Sequence, residues 1–144
     1  MGDPCSSYFE GTVFSGIGEG AFYVSIYTRK FLESLGFKPY PGTLNLKLNS
    51  SDVEAYKACI DSVEPILIEP PRIPGARLGS VYAYKAEVAR LFEVEVYIVR
   101  PAITVYKADV VELLSPAHIR SALGLSDGDI VRFKVVGSGR AHAL

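Results

Sequence analysis

Tryptophan is absent, methionine occurs once, and two cysteines and two histidines are all that the 144 residues hold of those types. Two cysteines supply neither a zinc tetrad nor a dense disulfide framework. Cys5 lies in a short N-terminal segment and Cys59 in a helix-like apolar pattern, so both are expected to be free thiols. With only His118 and His142, a histidine-based metal cluster is excluded, and imidazole acid–base chemistry has two candidates at most. No stretch reaches the roughly 20 apolar residues that span a bilayer, and the N-terminus lacks a charged region followed by an apolar run. A protein of the cytoplasm, with no membrane partner, is expected. The formal net charge of −1 gives no electrostatic footprint for nucleic acid, which favours a small-molecule partner. Hydrophobic residues at 49% and charged residues at 22% are ordinary for one globular domain that needs no staple to fold.

What is present is concentrated in two segments. The first is Pro39-Tyr40-Pro41-Gly42-Thr43-Leu44-Asn45-Leu46-Lys47-Leu48. Pro41-Gly42 reads as a turn, and the alternation after it sends Leu44, Leu46 and Leu48 to one side of a strand and Thr43, Asn45 and Lys47 to the other. A hydroxyl and an amide carbonyl two residues apart suit a hard cation such as Mg²⁺, which takes further oxygens from phosphates. The same pattern suits a half-solvated strand edge.

The second segment is Gly11-Thr12-Val13-Phe14-Ser15-Gly16-Ile17-Gly18-Glu19-Gly20-Ala21-Phe22-Tyr23. Gly16, Gly18 and Gly20 can bring backbone N–H groups close to phosphate oxygens, or can form a glycine-rich hairpin. No Gly-Lys-Ser/Thr ending follows, so the P-loop is excluded. Phe22-Tyr23-Val24 reads as strand rather than the helix of a dinucleotide fingerprint.

Along the chain, strands are expected at 8–14 and 21–26 as an opening hairpin, then a short helix from Thr28 to Leu35 stopped by Gly36. Ser51-Asp52-Val53-Glu54 has capping-box spacing and opens a second short helix, with Val53, Tyr56, Lys57 and Ile60 on one face. A strand at 66–68 leads into the proline-rich loop 69–75, which carries Arg72 and precedes Arg77. Further strands are expected at 80–88, 94–99, 110–114 and 129–136, with a helix from Pro116 to Gly124 before the last. Many short strands without regular strand–helix alternation favour a mainly β, closed barrel over a doubly wound sheet.

These segments together resemble the archaeal CTP-dependent riboflavin kinases. The motifs that carry the resemblance are the loop from Gly11 to Gly20, Leu35-Gly36-Phe37-Lys38-Pro39-Tyr40-Pro41-Gly42-Thr43-Leu44-Asn45, and Arg100-Pro101-Ala102-Ile103-Thr104-Val105-Tyr106. It continues through Glu112-Leu113-Leu114-Ser115-Pro116-Ala117-His118-Ile119-Arg120 to Leu123-Gly124-Leu125-Ser126-Asp127-Gly128-Asp129-Ile130-Val131.

The resemblance implies a single-domain, six-stranded cradle-loop β-barrel with a few short helices. It would occupy residues 9–137, between a flexible N-terminus at 1–8 and a flexible tail at 138–144. Some relatives carry an N-terminal helix-turn-helix domain; here ten residues precede Gly11, and the kinase module alone is expected. The implied reaction passes the γ-phosphoryl group of CTP to the 5′-hydroxyl of riboflavin, giving FMN and CDP, in a monomer that uses Mg²⁺.

By the same resemblance, Thr43 and Asn45 hold the metal, while Gly16, Ile17, Gly18, Glu19, Gly20 and Ala21 contact the nucleotide. Ala117, His118, Ile119 and Arg120 form a second nucleotide-contacting stretch. Relatives carry lysine or another residue where His118 stands, so its side chain is expected on the surface without a role. Arg120 can pair with phosphate, with Asp127 or with Asp129. Thr104 and Glu112 contact the flavin, and Glu112 is the candidate base, a role requiring reach of about 3 Å.

A reading of another class starts from the ending. Residues 115–131 also resemble the terminal half of swapped-hairpin transcription factors, which bind DNA as dimers. Such proteins need a basic face, and have no use for the glycine loop or the Thr-x-Asn pair.

Overall fold

A computed structural model describes residues 2–16, 18–102 and 108–137. The strands are β1 (Phe9–Phe14), β2 (Leu44–Leu48), β3 (Ile66–Ile68), β4 (Val81–Val88), β5 (Leu91–Pro101), β6 (Val110–Leu114) and β7 (Ile130–Gly137). Three helices lie between them: α1 (Glu19–Leu35), α2 (Val53–Ser62) and α3 (Ile119–Leu123). The strand order β3-β4-β5-β6-β2-β1-β7, with β4 also pairing β7, closes an antiparallel barrel of six strands. β3 is the additional strand. It shares one edge of β4 with β7, pairing Ile68 with Val81 where β7 pairs Phe133 with Val88.

Strand alternation divides the apolar residues into two cores. One fills the barrel, where Phe9, Val13, Leu46, Ile98, Val111, Leu113 and Phe133 are buried together and α2 adds Tyr56 and Ile60. The other lies outside the barrel wall, where α1 covers Ile66, Ile68, Val81, Ala83, Val99 and Leu114. Leu44, Leu46 and Leu48 all join the barrel core, as their alternation requires. Gly11 permits the close packing of β1 on β2, since a Cβ there would lie 2.7 Å from the Cβ of Leu46.

The helix α1 corrects the expected strand at 21–26 and the opening hairpin. Val24, Tyr27, Phe31 and Leu35 recur at helical intervals and form its buried stripe, whereas Phe22 is exposed. Burying that stripe outweighs the β-propensity of Phe22-Tyr23-Val24; a side chain such as Phe31 contributes about 1.5–3 kcal/mol. Gly36 ends the helix as expected, at φ 84° with its N–H on the Leu32 carbonyl. At 17 residues α1 is longer than the short helix expected from Thr28.

α2 is preceded by a 3-10 turn, Ser50–Asp52, rather than by a capping box at Ser51. Asn49 caps that turn, and the Asp52 carboxylate accepts the Glu10 N–H at 2.9 Å, tying the turn to β1. The proline-rich loop carries no helix or strand, in line with its sequence.

The cysteines also differ from expectation. Cys5 and Cys59 form a disulfide with Cα atoms 4.8 Å apart. A separation of 54 residues gives no local signal for this pairing. It arises because β1 lies against α2, where Phe9 meets Tyr56 edge to face at 5.6 Å, and the chain before β1 continues past Cys59.

Candidate active site

Outside the barrel, a row of paired residues crosses four strands. Phe14 on β1 pairs with Asn45 on β2, Asn45 with Glu112 on β6, and Glu112 with Val99 on β5. Asn45 and Glu112 are 8% and 6% exposed, so an amide and a carboxylate are held away from bulk water in an otherwise apolar wall. Burial of such groups is tolerated only where they find partners. Thr43 supplies one: its Oγ1 lies 3.1 Å from Asn45 Oδ1 and 3.3 Å from Glu112 Oε1. Tyr23 of α1 supplies another, donating its hydroxyl to Glu112 Oε1 at 3.3 Å. Burial, and then the neighbouring Glu112 charge, push the Tyr23 phenol well above its ordinary value, so it stays a neutral donor.

The first turn of α1 rests on this cluster. A Cβ on Gly20 would lie 2.5 Å from Thr43 Oγ1, so only glycine lets the helix approach so closely. Gly18 precedes the helix at φ 90°, and no side chain caps the N-terminal amides. The glycine loop therefore ends in a helix N-terminus, with its positive dipole end, rather than in the strand expected from sequence. It remains unlike a P-loop, having no lysine.

A cavity of about 240 Å³ opens beside the cluster. One wall is the glycine loop, with Ser15, Gly16, Gly18, Gly20 and Ala21; the floor is Thr43, Leu44 and Asn45. The opposite wall is Ser115, Ala117, His118, Ile119 and Arg120. The two nucleotide-contacting stretches expected from sequence thus face each other across the expected metal pair. Glu19 begins α1, and Glu112 is not part of the cavity lining but is bonded to Thr43, which is. Ile17 and Thr104 lie outside the described residues.

Ser115, Tyr40, Ser121 and Tyr23, to which sequence reasoning gave no role, belong to this region. Ser115 is buried, accepts the Tyr40 N–H through its carbonyl at 2.8 Å, and takes the Ala117 N–H on Oγ at 3.2 Å. It thereby holds the 39–43 segment against the end of β6. Tyr40 stacks on His118 with ring centroids 4.3 Å apart. His118 is on the surface as expected, yet its ring lines the cavity and its Nδ1 bonds Ser121 Oγ at 2.5 Å. Of the partners open to Arg120, the structure selects Asp127, at 2.7 Å. Tyr23 was hidden by the strand reading of residues 21–26.

A second cavity, of about 200 Å³, lies on the other side of Tyr23. Phe22, Tyr23, Ile26 and Tyr27 of α1 form one side, and Arg77, Leu78, Gly79, Ser80, Val81 and Pro101 the other. Tyr27 fixes the mouth by donating its hydroxyl to the Gly79 carbonyl at 2.5 Å. Arg72 borders a separate hollow in the proline-rich loop.

Residues 13–135 match the family model CTP-dep_RFKase, described as "Domain of unknown function DUF120". The chain belongs to the CTP-dependent riboflavin kinase family. It is 52% identical over 128 residues to a riboflavin kinase of Aeropyrum pernix, covering 89% of this chain and 95% of that protein. A riboflavin kinase of Archaeoglobus fulgidus is 42% identical over 129 residues, and one of Pyrobaculum islandicum 45% over 128. This chain spans 54% and 58% of the length of those two proteins. The family match covers both walls of the first cavity and the whole Asn45–Glu112 row. Among the described residues no helix is long and apolar enough to cross a membrane, and no cluster of three His, Cys, Asp or Glu side chains could hold a metal.

Proposed function

We propose that the chain is a riboflavin kinase that passes the γ-phosphoryl group of CTP to the 5′-hydroxyl of riboflavin, giving FMN and CDP. The observation that carries this reading is that Glu112 bonds one residue from the lining of each of two cavities of different character. Toward one it meets Thr43, beside the glycine loop and the α1 N-terminus; toward the other it meets Tyr23, in an aromatic cleft.

The first cavity suits a nucleotide. Backbone N–H groups at the start of α1 would accept phosphate oxygens without a lysine. The second suits a flavin, with its apolar aromatic walls around a planar ring. A ribityl chain running from that cleft toward Glu112 would bring its terminal hydroxyl to the phosphates.

Thr43 and Asn45 fit magnesium, since a hydroxyl and an amide carbonyl within 3.1 Å of each other are hard oxygen donors beside a buried carboxylate. Bound there with the nucleotide, Mg²⁺ would neutralise phosphate charge. Glu112 accepts the proton of the 5′-hydroxyl as its oxygen bonds to the γ-phosphorus and the bond to the β-phosphate oxygen breaks. The neutral Tyr23 phenol steadies the carboxylate in that role, and the closure of α1 over Thr43 keeps water from competing with the acceptor.

The reading is tested by incubating the protein with riboflavin and Mg²⁺ alongside CTP, ATP, GTP or UTP in parallel. FMN is expected with CTP above the others. FMN with ATP in preference would overturn the donor assignment, and no FMN with any nucleotide would overturn the kinase assignment.

A further inference from the structure

Ser15, Arg120 and Asp127 come from three separate segments and meet at one carboxylate. The Asp127 Oδ1 receives the Arg120 guanidinium at 2.7 Å, and the Ser15 hydroxyl lies 3.0 Å from Oδ1 and 2.9 Å from Oδ2. Ser15 opens the glycine loop, while Arg120 lies in α3 on the facing wall of the nucleotide cavity. Asp127 itself stands in the turn before β7.

That turn is fixed by backbone bonds. Gly128 N–H donates to the Val13 carbonyl at 2.8 Å, and Val13 N–H to the Asp129 carbonyl at 2.8 Å. Asp129 closes the turn by accepting the Ser126 N–H on Oδ2 at 2.8 Å, and Leu125 N–H reaches the Arg120 carbonyl at 2.8 Å. The carboxylate thus projects from an anchored turn toward both walls.

We infer that Asp127 is a positioning residue for the nucleotide, spanning the cavity mouth to set the Arg120 guanidinium and the start of the glycine loop in register. The inference rests on the kinase reading for the identity of the anion, and extends it to a residue that touches neither reactant. A guanidinium has five donors, so the one engaged by Asp127 leaves others for phosphate oxygens. Held in place, they are offered without the entropy cost of ordering a long side chain at each binding event. Arg120, and then Ser15, hold the Asp127 carboxyl below its ordinary value, consistent with a carboxylate committed to these donors.

The alternative role for the same contact is opposition. Asp127 would then neutralise Arg120 and compete with the incoming phosphates. The two roles predict opposite signs, and one substitution separates them.

The test measures binding of CTP with Mg²⁺, and of inorganic tripolyphosphate with Mg²⁺, by calorimetry on the full chain and on Asp127→Asn, Ser15→Ala and the double variant. FMN formation is measured in parallel. For an exposed pair, Asp127→Asn is expected to weaken both polyphosphates by about fivefold and to raise the KM for CTP alike, with the KM for riboflavin unchanged. In about 1 M salt that ratio should shrink toward one. Ser15→Ala is expected to weaken binding less, and the double variant no more than Asp127→Asn, because Ser15 acts through the same carboxylate. Unchanged or tighter binding in Asp127→Asn overturns the inference, as do independent losses that add in the double variant or equal rises in both KM values. Should the wild type bind CTP without making FMN, the kinase reading fails while the binding ratio still judges Asp127.

Discussion

Asn45 and Glu112 are register partners on adjacent strands, both buried, and both lie within hydrogen-bonding distance of one hydroxyl, that of Thr43. A single row of the sheet therefore carries the proposed metal-holding amide and the proposed base. Spacing along β2 and a separation of 67 positions to Glu112 become one locus only through strand pairing.

Replacing Glu112 with Gln keeps the shape and an acceptor but removes the basic carboxylate. The expected result is a fall in kcat of about 10²-fold or more with CTP affinity unchanged. Steady-state kinetics in both substrates checks this. A purely positional hydrogen bond would instead raise the KM for riboflavin severalfold and leave kcat near its starting value.

Thr43→Ala and Asn45→Ala remove oxygens without opening a cavity in either core. Activity is expected to fall by at least about tenfold and to recover in part at high Mg²⁺, since each variant weakens the affinity of the site rather than its shape. Turnover across a magnesium titration, set beside thermal melts, separates this from unfolding.

Gly20 and Gly18 sit two residues apart and should fail differently. A Cβ at Gly20 meets Thr43 Oγ1, so Gly20→Ala should lower activity by roughly 10-fold to 10²-fold through displacement of α1 from the cluster. A Cβ at Gly18 meets nothing within 4 Å, but φ is 90°. Gly18→Ala should therefore cost about 1 kcal/mol of backbone strain, seen chiefly in stability.

Tyr23 gives a dependence on pH whose sign is fixed. Its folded value is raised above 10.0, so the stabilisation is complete below that pH. It is lost as pH rises from 10.0 toward the folded value, because the unfolded chain releases the proton first. Tyr27 and Tyr97 are raised as well, by burial, and add to the same slope. Melting temperature against pH should fall above that point, and less steeply in Tyr23→Phe.

A closed, mainly β barrel was legible in the run of short strands, and the Thr43–Asn45 pair in strand parity, while the six-stranded form and the other candidate site residues came with the family resemblance. Leu44, Leu46 and Leu48 announce a strand with one apolar face, and Thr43 and Asn45 fall opposite them by parity alone. Residues 21–26 were misread because Phe22, Tyr23 and Val24 favour a strand locally. Their helical state is decided by a stripe that continues to Phe31 and Leu35 and by the sheet beneath it. The Cys5–Cys59 bond and the Ser15–Asp127 contact join residues distant in sequence, where neither spacing nor residue type carries a signal, whereas the Arg120–Asp127 pair was among the partners that the sequence left open.

The disulfide should act on stability and not on chemistry, since α2 and Cys5 lie away from both cavities. Cys5→Ser is expected to lower unfolding free energy by roughly 2–4 kcal/mol, read from denaturant midpoints with and without reductant. Its kcat at moderate temperature should match the wild type.

The central claim is direct transfer between two reactants held at either side of Glu112. Incubation of the protein with riboflavin, Mg²⁺ and CTP labelled at the γ-phosphorus measures it. The account predicts label in FMN, one CDP for each FMN formed, and loss of that label transfer in Glu112→Gln. Label released as inorganic phosphate with riboflavin unchanged would contradict it.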